Sequence, residues 1–183
     1  MAEPVTLAEA KAQCRMADDD SEDTFITSLI APARAYVERV TGQIFVGGER
    51  TEAFGRWGDY LEIYKRPITS IDSITYSTSD DPEEDVGYTG FVANLNQFPV
   101  RIYSAIGGSG FPDLEPGQTI TVTYTAGELA ATSEEYLIGK RAMLLLIGHW
   151  FENRETAVIG QASEQVDFAV RELTNSIRPV SAY

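Results

Sequence analysis

Apolar residues recur every three or four positions at both ends of this chain and every second position in its middle. A helix buries a stripe that repeats every 3.6 residues and a half-buried strand one that repeats every two. The two changes of period therefore predict an α+β protein: a helical bundle made from the N-terminal and C-terminal helices, with a small antiparallel sheet or sandwich inserted between them. The expected parts are residues 1–42, 43–127, 128–160 and 161–183.

Local signals place the elements. Thr6 and Glu9 have the spacing of a capping box, predicting a short helix from Leu7 to about Met16. Phe25, Ile26, Leu29, Ile30, Ala33, Val37 and Val40 then mark a long amphipathic helix that Gly42 ends. Carboxylates from Asp18 to Asp23 sit before it, suiting the positive end of the helix dipole. The clearest strand alternates Ile120, Val122 and Tyr124 with Thr119, Thr121, Thr123 and Thr125. Weaker strands read at Tyr60 to Tyr64, Ile71 to Tyr76, Gly90 to Ala93 and Val100 to Tyr103. Turns are expected at Gly107 to Gly110 and at the acidic Asp80 to Asp85, which reads as a solvated loop. Ser133 caps a helix through Leu137, Leu144, Leu145 and Trp150 to about Asn153, apolar nearly all round from Met143 to Ile147. Val166, Val170, Leu173 and Ile177 outline a last short helix before Pro179.

Composition narrows the function. Among 183 residues, 14 are basic and 28 acidic, a net charge of -14 that opposes attraction to a nucleic-acid backbone. The imbalance lies in residues 1 to 137, with 9 basic and 23 acidic side chains, whereas residues 138 to 183 hold 5 of each. The longest apolar run, Met143 to Phe151, is too short to span a bilayer, and no leader-like segment opens the chain, so a cytoplasmic origin is expected. One cysteine, Cys14, and one histidine, His149, cannot assemble a zinc site of the usual kind.

A search for chemistry finds no catalytic and no metal residues to assign. Gly139-Lys140 lacks the earlier glycine of a phosphate-cradling loop. Ser109 lies in a Gly-Ser-Gly turn without nucleophile-elbow spacing. His149 and Glu152 sit one turn apart, but a single histidine packed beside Trp150 and bonded locally is the simpler reading. The acidic clusters lack the alternating ligands and central glycine of a calcium loop. Aromatic side chains on strands could form a base-stacking or sugar platform, with core and subunit packing as the default.

Three stretches, in order, resemble the phage head-tail connector family, in the branch with a sheet between its helices. The first is Val5-Thr6-Leu7-Ala8-Glu9-Ala10-Lys11 with Arg15, the Asp18 to Asp20 cluster and Ala33-Arg34-Ala35-Tyr36-Val37-Glu38 ending in Thr41-Gly42. The second is Pro67-Ile68 with Ser73-Ile74-Thr75-Tyr76, then Thr121-Val122-Thr123-Tyr124-Thr125-Ala126-Gly127. The third is Gly148-His149-Trp150-Phe151-Glu152-Asn153-Arg154-Glu155. Where the family often begins its third helix with proline, this chain has Ala131-Thr132-Ser133-Glu134, and beyond Gly160 the match fades.

The resemblance implies a virion structural protein of a tailed phage or a phage-derived gene transfer agent, assembled in the host cytoplasm and placed at the head-tail junction. It implies no cofactor, no membrane, and a ring, usually of twelve copies, beneath the portal protein. A stopper or tail-terminator protein would sit below, and DNA would pass through the channel without sequence-specific binding. Leu144, Leu145, Trp150 and Phe151 are then expected to pack between subunits. Phe168, Val170, Arg171, Leu173, Ile177, Arg178 and Tyr183 are expected to dock on the portal, against the alternative that this terminal helix packs on its own subunit. Two other functions stay open: a DNA-packaging accessory protein and a carbohydrate- or receptor-binding module.

Overall fold

The computed structural model describes residues 2–77, 85–105, 111, 118–153 and 164–180. Two units organise the chain: Met1–Val46 with Glu128–Pro179, and Gly47–Gly127 with Val180–Tyr183. The first is helical and is built from both ends of the sequence. The second is the inserted β unit.

Among the described residues, four helices make the first unit. Helix α1 (Leu7–Gln13) starts on the expected capping box: Thr6 Oγ1 accepts from Glu9 N, and Glu9 Oε2 accepts from Thr6 N at 2.9 Å. It stops short of Met16, because Arg15 adopts φ 59 and the chain turns. Met16 N bonds to Lys11 O and Arg15 N to Ala12 O, the bonding pattern of a helix end that usually places glycine where Arg15 stands. Helix α2 (Asp23–Thr41) ends at Gly42 with φ 72, as its sequence signal predicts. Lys11, buried at the α1 end, ties the α2 start by ion pairs to Asp20 and to Asp23 at 2.7 Å. Those partners, Asp20 first, hold its ammonium above the usual lysine range. Helix α3 (Glu134–Glu152) begins where Ser133 Oγ accepts from Tyr136 N, and helix α4 (Glu164–Ser176) follows.

The helical core contains Ile26, Ile30, Ala33 and Val37 of α2, Met143, Leu146 and Ile147 of α3, and Val170 of α4 with Ile177 just beyond it. Each fully buried aliphatic side chain here contributes about 1.5–3 kcal/mol. The loop after α2 is bound in by polar groups. Glu38 Oε1 accepts from Phe45 N at 2.9 Å and Val46 N at 3.2 Å, while its Oε2 accepts from Arg34, which also pairs with Glu3. Gln43 Nε2 donates to Ile177 O at 2.9 Å and so fixes the end of α4 to the same loop.

The capping box also sets a pH dependence. Glu9 Oε1 lies 2.7 Å from Lys140 Nζ, and this contact, followed by the Thr6 donors, holds the Glu9 carboxyl below its usual range. A lowered folded-state pKa adds stability above the ordinary value of 4.5 that is lost as pH falls through the depressed one. Glu9→Gln should therefore cost less than about 1 kcal/mol at neutral pH, because the pair is partly exposed. Denaturant melts of the two proteins should converge on acidification below that value; a gap that stays constant would show that the charge is irrelevant.

In the second unit, β1 (Gly48–Phe54), β7 (Ile120–Ala126), β3 (Ile68–Ser77) and β4 (Asp85–Gly87) form an antiparallel sheet in the order β1-β7-β3-β4. A second sheet has the order β2-β6-β5, from Leu61–Ile63, Val100–Ser104 and Phe91–Asn94. The threonine-alternating strand is central, pairing Ile120 with both Phe54 and Tyr76, and buries Ile120, Val122, Tyr124 and Ala126. Two strands escape the sequence reading. The half-buried positions of β1 include Arg50 and Glu52, so no apolar alternation marks it; Tyr124 donates to Glu52 at 2.9 Å instead. Asp85, read as the end of a loop, opens the three-residue strand β4, while residues 78–84 and the turn at 107–110 lie outside the described residues.

Candidate assembly surfaces

The three-stranded sheet buries Leu61, Ile63, Val100 and Ile102, and alternation turns their neighbours outward. Val92 stands opposite Tyr103, whose ring centroid lies 5.6 Å from that of Tyr60. In the next row Asn94 stands opposite Arg101, and Arg101 opposite Glu62. Arg101 Nε bonds to Glu62 Oε1 at 3.0 Å, and its guanidinium lies 4.7 Å over the Tyr60 ring. Tyr64 donates to Glu62 Oε2 at 2.7 Å and meets Phe98 edge-on. The Glu62 carboxylate raises the pKa of both Arg101 and Tyr64. Val92 is 57% and Tyr64 55% exposed. The sequence signal was the alternation Tyr60-x-Glu62-x-Tyr64 and Arg101-x-Tyr103, which a default assignment of aromatics to packing passes over.

The helical unit exposes a different surface at the start of α3. Leu137 is 56% exposed. Around it in sequence Glu128, Ala130, Ala131 and Glu134 are exposed, with no cation between residues 128 and 137. A cleft of about 390 Å³ opens there, lined by Glu3, Phe45, Glu128, Leu129, Ala131 and Tyr136 among others. Further along, Leu144, Leu145, Trp150 and Phe151 are each only partly buried against their own core. Phe151 sits 6.2 Å from Phe25.

Helix α4 and the residues just after it carry the expected docking set. Val170 and Ile177 are buried in the helical core and Leu173 packs against it, because α4 covers its apolar face within its own unit. Phe168, 64% exposed, stays outward with Arg171 and Arg178, and Tyr183 lies outside the described residues. His149 Nδ1 lies 3.1 Å from Asn153 Nδ2, a local contact within one helical turn. Among the described residues no group of three or more His, Cys, Asp or Glu could hold a metal ion, and no helix is long and apolar enough to cross a membrane.

A bundle with an inserted β unit, bearing outward aromatic and apolar surfaces, defines a module suited to assembly. Residues 4–81 match the family described as phage gp6-like head-tail connector protein, which bears out the resemblance read from the sequence. Three solved chains share the fold over nearly their whole length. One, from the "Neck of empty GTA particle computed with C6 symmetry", is 23% identical with TM-score 0.69 and coverage of 100% of this chain and 95% of that one. Another, from the "Virion of native gene transfer agent (GTA) particle", is 21% identical with TM-score 0.69 over 98% and 92%. A third, from the "Neck of native GTA particle computed with C12 symmetry", is 20% identical with TM-score 0.59 over 100% and 94%. No curated protein matches the chain.

Proposed function

We propose that this chain is a structural head-tail connector subunit of a tailed phage or gene transfer agent, forming a ring of twelve copies beneath the portal at the head-tail junction. Its work is mechanical: it extends the DNA channel and offers a floor on which a stopper or tail protein docks. The observation that carries this reading is the family match over residues 4–81, extended by the likeness to neck proteins over the whole chain. The net charge of -14 fits a wall along which a polyanion slides, since each phosphate contact would add salt-dependent affinity. Portal contact falls to the outward side of α4, through Phe168, Arg171 and Arg178, with Tyr183 in the tail beyond.

The purified full chain should form closed rings by native mass spectrometry and negative-stain imaging. Those rings should co-sediment with portal rings of the same particle, and Phe168→Asp combined with Arg171→Glu should abolish co-sedimentation while leaving the melting temperature unchanged. A chain that stays monomeric and hydrolyses ATP or binds glycans would overturn the reading in favour of a packaging accessory protein or a receptor-binding module. Rings that bind portal equally well with the double variant would move the contact away from α4.

A further inference from the structure

We draw no further inference here: the strongest candidate, the outward face of the β2-β6-β5 sheet with Tyr64, Val92 and Tyr103 beside the Arg101–Glu62 pair, neutralises its arginine within the face, and nothing in the structure shows what covers it.

Discussion

Glu38→Ala is expected to lower the unfolding free energy by about 3–5 kcal/mol, the range for removing one partner from a buried ionic network. The carboxylate is buried in the turn out of α2, where one oxygen accepts from the amides of Phe45 and Val46 and the other from Arg34. Truncation leaves two amides and part of a guanidinium without their acceptor in a place water reaches poorly. Glu38→Gln should recover part of the loss, since its carbonyl oxygen can still accept from the two amides while the charge opposite Arg34 is gone. Urea denaturation of the three proteins measures this directly. A loss below about 1 kcal/mol for the alanine variant would show that the amides find other partners.

Gly139→Ala should destabilise by about 1–3 kcal/mol, although the same change in an exposed helix would stabilise by about 1 kcal/mol. A Cβ at this position would come within 2.2 Å of Phe45 Cζ and 2.7 Å of Cε1. The Phe45 ring cannot withdraw, because it is buried and lies 5.8 Å from Tyr136. Phe45→Leu alone should also cost stability, yet the double variant should lose clearly less than the sum of the two, since the smaller side chain makes room for the methyl. Additive losses in a thermal or urea cycle would refute this account of the glycine.

Both sites show where the sequence could be read and where it could not. The helices were legible because each carries its own period and its own caps: Thr6 with Glu9, Gly42, and Ser133 all act as their types predict. Strand β7 was legible for the same reason, as its threonines and apolar residues alternate without a break. Strand β1 was not, because Glu52 on it serves as an acceptor for Tyr124 and a polar strand has no hydrophobic period. Gly139 and Glu38 look ordinary in a helical sequence; their importance comes from Phe45, which reaches them only after the chain has turned back from α2. The tyrosine face was hidden in another way. Aromatic residues on a strand give no sign of which side will be covered, since that depends on which alternate row the core takes. For α4 the period gave the helix, but not that Val170 and Ile177 are buried in the core of their own unit while Phe168, Arg171 and Arg178 stay exposed.

The division of the helical unit between the two ends of the chain has a bearing on synthesis. Helices α1 and α2 leave the ribosome with their apolar sides uncovered, and α3 follows only after the whole of residues 47–127 has been made. At roughly 5–20 residues per second that interval lasts about 4–16 s, long compared with the time a helix takes to form. The strands β1 to β7, which lie between Gly48 and Ala126, can pair meanwhile. Their pairing brings Glu128 back beside Ile44, where Leu129 N bonds to Ile44 O at 3.1 Å, and shortens the loop that α3 must close to reach α2. Nascent chains arrested before residue 134 should therefore be the ones that chaperones hold and proteases cut.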